Sequence, residues 1–194
     1  MAETFKFTDE RFADIQMLRY RLDGFEDLTL KQKLYIYYLA KATLCGRDIV
    51  TDQFGRHNLL IRKTLEAVYE NFKGDRTSHD FQALTVYLKR VWFSNGIHHH
   101  YGCEKFVPDF SEPFFIEAVR QVGADKLPLA EGQTVDSLLD ELCPVIFNPS
   151  VQAKRVNQKD GDDLVKTSAC NYYENLSQKE VEDFYASMRN PEDL

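Results

Sequence analysis

One stretch constrains this chain more than any other. Thr29 is followed three places on by Gln32, the pattern of a capping box, in which each side chain satisfies the other residue's backbone N–H at a helix start. Behind that start come Leu30, Leu34, Ile36, Tyr37, Tyr38, Leu39, Ala40 and Leu44, with Cys45-Gly46 as the stop. At 3.6 residues per turn these positions cover most of the helix circumference, so no single face is apolar. A helix of that kind belongs inside a larger assembly. The chain is therefore expected to expose it, with Tyr35, Tyr37 and Tyr38 serving core and interface contacts.

Further helices are predicted on either side. Thr8 with Asp9 and Glu10 reads as a helix start, carrying Phe12, Ile15, Leu18, Arg19 and Leu22 up to a stop at Gly24. Gly46 to Gly55 reads as a polar loop. It lacks the ligand alternation and terminal Glu of a calcium loop, so no metal is expected there. A helix is predicted over Asn58 to Phe72. Another starts at Ser78, shows an apolar stripe through Phe81, Leu84, Leu88, Val91 and Trp92, and ends near Asn95-Gly96. Prolines then punctuate the chain, leaving short helices over Ser111 to Gln121 and Thr134 to Leu142. Leu164 to Tyr173 reads as room for a short strand. Ser177 and Glu180 form a second capping box, opening a helix that Pro191 closes. The expected fold class is mainly α: one irregular unit of about seven helices over residues 1–194, with little or no β.

Composition narrows function by exclusion. The 194 residues carry a formal net charge of −7, whereas a nucleic-acid binder needs a basic face to displace counterions. No apolar run approaches the ~18 residues of a membrane span. Met1 to Lys6 lacks the apolar core of a signal peptide. The chain reads as soluble, in the cytoplasm, or in the cell envelope if a leader was removed. Cys45, Cys103, Cys143 and Cys170 form no C-x-x-C pair and read as buried free thiols. Asp160, Asp162 and Asp163 read as a solvated turn.

The unusual chemistry lies in Trp92-Phe93-Ser94-Asn95-Gly96-Ile97-His98-His99-His100-Tyr101-Gly102-Cys103. Three successive histidines invite a metal reading, because imidazole ligates zinc. Adjacent side chains diverge on a helix and alternate on a strand, however, so at most two can face one point. Cys103 and Glu104 could join them only through a tight fold-back. No metal and no cofactor are expected in this chain. Two other readings stand beside the metal one: one or two of the imidazoles hydrogen-bond backbone at the helix end, or Asn95, His98, His99, His100 and Tyr101 form a loop lining a groove and touching a ligand or substrate. Nucleophile elbows, phosphate loops, dinucleotide fingerprints and zinc helices of the H-E-x-x-H type are all absent, so no catalytic residue is expected.

Several stretches resemble the N-terminal region of dipeptidyl peptidase III from Bacteroides-type bacteria. They are Arg11 to Gln16, Gly24 to Lys33, Tyr87 to Gly102, Leu127 to Thr134 and Ser168 to Tyr173. The likeness runs over nearly the whole chain, and the stretch through the three histidines is its most specific part. Members of that family are two-lobed zinc exopeptidases that release dipeptides from the N-termini of short peptides. Their zinc is held by an H-E-x-x-G-H helix and a later Glu, all downstream of the region matched here. The resemblance thus implies about the first third of such an enzyme, with zinc and short-peptide substrate belonging to the complete protein. It gives this chain a structural role beside the cleft and the remainder of the polypeptide as its partner. No family catalytic residue maps onto any position here. The alternative is a free-standing helical module for interaction or ligand binding.

Overall fold

A computed structural model describes residues 5–190. The chain is mainly helical, with one two-stranded sheet among the described residues. Its contacts group it into two units, the first reaching to Asp48 and the second starting at Ile49, where the sequence had suggested one unit over 1–194. Each unit is described by itself.

The first unit opens with a hairpin, not the helix expected from Thr8. Strands β1 (Thr8–Phe12) and β2 (Ile15–Leu18) pair antiparallel, with Phe12 opposite Ile15 and Arg11 opposite Gln16. Ala13 takes a left-handed φ of 48° at the head of the two-residue loop Ala13-Asp14. The three- and four-residue apolar spacing that suggested a helix arises because Phe12 and Ile15 face each other across this turn. Gln16 adds its side-chain amide, donating to the carbonyls of Asp9 and Glu10 at 3.1 and 3.3 Å.

The capping box forms as the sequence requires and starts α1 (Leu30–Cys45). Thr29 N donates to Gln32 Oε1 at 2.9 Å, and Thr29 Oγ1 accepts from Gln32 N at 3.4 Å. No residue of α1 is buried. Tyr35, Tyr37, Tyr38 and Leu39 are 66, 54, 64 and 48% exposed, as expected for a helix that further polypeptide would have to cover.

The stretch from Gly46 to Gly55 is not a loop. It holds α2 (Arg47–Gln53), inside which the boundary between the two units falls. Tertiary contacts decide this. Thr51 is fully buried and meets the Arg62 guanidinium at 3.3 Å, while the Gln53 carbonyl accepts from Asn171 N at 2.9 Å.

The second unit is built on α3 (Asn58–Asn71), α4 (His79–Ser94), α5 (Glu112–Val122) and α6 (Val135–Phe147). Ser78, Ser111 and Thr134 cap three of them with side-chain oxygens. Their apolar stripes share one core: Leu65, Leu84, Leu88, Phe115, Leu138 and Leu142 are fully buried there. Phe81 stacks on Phe72 at 4.9 Å, and Arg76 sits 4.5 Å above the Phe81 ring.

Helix α6 runs through Pro144 to Phe147, past the expected end at Leu142. The missing N–H removes one helix bond close to the C-terminus, and burial of Val145 and Ile146 keeps the last turn in place. A single helical turn, α7 (Leu164–Thr167), stands where a strand seemed possible. The residues just after it do run extended, with Ala169 and Cys170 donating to the carbonyls of Lys154 and Arg155. Helix α8 (Gln178–Ser187) starts at the predicted Ser177–Glu180 box.

All four cysteines are free, yet only Cys143 is buried; Cys45 is exposed, and Cys103 and Cys170 are half-buried. Asp163 is more than a solvated turn. It caps α7 by accepting from Lys166 N at 2.9 Å and also accepts from Gln178 N at 3.1 Å.

Candidate functional site

Asn95 ends α4 in the left-handed region, φ 53°, a conformation that Asn tolerates better than most residues. Gly96 follows at φ 152° with its Cα against the Asn58 side chain, where a Cβ would collide with the amide. The same amide oxygen accepts from Ile97 N at 3.2 Å. The helix stop is thereby fixed to the start of α3. The chain then folds back tightly: His98 and Lys105 pair across an antiparallel bridge, His99 N donates to Glu104 O at 2.7 Å, and Phe106 N donates to Ile97 O at 2.8 Å.

This fold-back sends the three histidines to three environments. His98 is 1% exposed, and its Nε2 donates to the carbonyl of Gln152 at 2.6 Å. A carbonyl only accepts, so the Nε2 proton is fixed. Burial pushes the His98 imidazole down to about 4, and the nearby Lys105 and Arg155 charges push the same way, against the Gln152 bond. His99 is half-buried and turns its Nδ1 back onto the chain, accepting from Tyr101 N and Gly102 N at 3.2 and 3.1 Å. His100 is exposed, with its ring 4.8 Å from Phe93 and 4.4 Å from His99. Tyr101 is 88% exposed.

The fold-back that a metal site would need therefore exists. Even so, among the described residues no group of three or more His, Cys, Asp or Glu side chains is placed to hold an ion. The donor set of the zinc implied by the resemblance is not found among them.

Other residues around this turn were invisible to sequence reasoning. Gln152 holds a strained left-handed backbone, φ 51°, and places its amide 2.8 Å from His57 Nδ1. His57 in turn lies 3.7 Å from Glu141 through Nε2. Burial lowers the His57 pKa, only partly offset by Glu141, so the ring is neutral at pH 7. A continuous polar line thus runs from His98 through Gln152 to His57.

Lys105 places Nζ 2.7 Å from the Val145 carbonyl and 2.6 Å from that of Val151, closing the C-terminal end of α6. Burial lowers the ammonium to about 8. Arg155 lies over the Phe54 ring at 4.5 Å and donates to the His100 carbonyl at 3.2 Å and to Cys103 Sγ at 3.4 Å. These partners lie 40 or more positions apart in sequence, and no local pattern announces them.

Asn95, His98, His99, His100 and Tyr101 thus share one turn at the end of α4. In it His98 faces the interior and His100 and Tyr101 face outward. No known protein-family model matches the chain, and neither does any curated protein. No described helix is long and apolar enough to cross a membrane.

Proposed function

We propose that this chain is the N-terminal part of a zinc-dependent dipeptidyl peptidase of the dipeptidyl peptidase III type, with an architectural role beside the peptide cleft. The observation that carries the proposal is α1, a well-capped helix of 16 residues with large apolar side chains on every side and none of them buried. Such a surface fits enclosure by more polypeptide. The resemblance supplies the identity of that polypeptide. The histidine turn supports the same reading, since His98 and His99 bond within the chain itself. Zinc and its activated water would be supplied by residues outside this chain.

The decisive experiment is to read the gene beyond the codon for Leu194. The proposal expects an in-frame H-E-x-x-G-H motif, and a stop codon at that point would overturn it. A second reading, a free-standing helical module, draws on the second unit, whose core is continuous without α1. That stop codon would favour it.

A further inference from the structure

His57 sits at the head of α3, just before Asn58, and each nitrogen of its ring has a different neighbour. Nε2 lies 3.7 Å from Oε1 of Glu141 in α6. That is long for a hydrogen bond, but the carboxylate attracts a proton on Nε2 and repels a bare lone pair there. In the neutral ring the proton therefore sits on Nε2, and Nδ1 is an acceptor. Gln152 matches this form, its side-chain Nε2 donating to Nδ1 at 2.8 Å. The other end of the same amide, Oε1, is buried and has no hydrogen-bond partner.

A proton arriving at Nδ1 reverses the match. Imidazolium donates from both nitrogens, so Nδ1–H would meet the amide N–H, donor against donor. Half a turn about the Gln152 Cγ–Cδ bond removes the conflict by bringing Oε1 to Nδ1. The new bond is charge-assisted and stronger than the neutral one it replaces. It also gives the unpartnered oxygen a donor. The main chain is pinned on both sides of the amide: Gln152 O accepts from His98 Nε2 at 2.6 Å, and Val151 O from Lys105 Nζ at 2.6 Å. The change is thereby confined to the end of one side chain.

The charges around the ring set when this happens. Glu141 favours the imidazolium, and its second oxygen accepts from Gln133 at 3.0 Å. Burial opposes it most strongly, followed by Arg56, which is itself paired with Glu174 at 2.8 Å. The positive end of α3 acts in the same direction. Lys166 lines the same cleft as His57, and Lys105 and Arg155 stand beyond Gln152, around His98.

We propose that His57 and Gln152 form a proton-driven switch, in which protonation of His57 at Nδ1 turns the Gln152 amide end for end. The switch tightens the tie between the start of α3 and the segment behind the histidine turn as the medium acidifies. It lies wholly within the second unit and does not depend on the peptidase reading.

The test is a pH titration of the isotope-labelled 194-residue chain, followed by the ring nitrogens of His57 and the side-chain amide of Gln152. A range from about pH 8 to about pH 5 brackets the ordinary imidazole value and stays above the titration of His98. At the upper end His57 should be the Nε2–H form, with a coupling through the hydrogen bond between Nδ1 and the Gln152 side-chain nitrogen. That coupling should vanish as His57 takes its proton, and the Gln152 amide resonances should shift with the same midpoint. Glu141→Gln should lower both midpoints together by roughly half a pH unit, the effect of losing one partly exposed carboxylate. An Nδ1–H ring at the upper end would overturn the proposal, as would a ring that stays neutral throughout. So would Gln152 amide resonances that ignore the His57 titration, or midpoints that separate in Glu141→Gln.

Discussion

Helices α1 and α4 are each 16 residues long, each begins at a good N-cap, and each is rich in large apolar side chains. Their fates are opposite. In α4 the residues Phe81, Leu84, Leu88 and Val91 recur at three- and four-residue spacing, which gathers them into one stripe that packs fully into the core. In α1 the run from Leu34 to Ala40 is apolar without interruption, so no face is preferred, and none is covered. The pair shows that apolar content does not decide burial within a chain. A stripe can be closed by one neighbouring layer, whereas a helix apolar all round needs covering from several sides.

Truncation separates the two helices most sharply. Leu88→Ala in α4 should lower unfolding stability by about 2–5 kcal/mol, from lost transfer energy plus a cavity. Leu39→Ala in α1 should change it by less than about 0.5 kcal/mol, because the side chain is half in solvent. Urea denaturation of both variants checks this, and equal losses would erase the contrast.

The turn that follows α4 gives the next largest effect. His98 is held neutral with its pKa depressed to about 4, against about 6.5 when unfolded. Between those values the unfolded state binds more protons, so stability should fall as the pH drops from 6.5 towards 4. The full loss is about 3 kcal/mol. His98→Gln should flatten this part of the pH profile of the urea midpoint, and an unaltered slope would contradict the burial assigned to His98.

Lys105→Met should cost about 2–3 kcal/mol by stripping a charged donor from the carbonyls behind α6. A thermal melt that matched the parent protein would show that water replaces the ammonium. The smallest effect belongs to the caps. Ser78→Ala, at the head of α4, should cost about 1 kcal/mol. Thr29→Ala should show little in global unfolding while reducing helicity locally in α1, which a residue-resolved chemical-shift comparison would reveal.

Legibility in the sequence follows the range of the interactions involved. Capping at Thr29, Ser78, Ser111, Thr134 and Ser177 acts within three residues, and each of these starts was readable. The α4 stripe and its stop at Asn95 were readable for the same reason. The hairpin at residues 8–18 was not, because Phe12 and Ile15 satisfy a helical spacing while sitting across a turn. Helix α2 depends on Thr51 and Gln53 meeting Arg62 and Asn171, partners that no local pattern indicates. At the candidate site, Asn95 through Tyr101 stood out by composition. Gln152, His57, Lys105 and Arg155 did not, because their significance lies in contacts across 40 to 95 positions of chain.

The central claim is that α1 is uncovered in this chain while α4 is sealed, and hydrogen exchange tests it residue by residue. In the 194-residue protein, amides of α1 from Leu34 to Leu44 should exchange at rates set by local opening. Amides of α4 from Leu84 to Val91 should exchange only through global unfolding. Protection of α1 equal to that of α4 would mean that its apolar surface is already buried, contradicting the account.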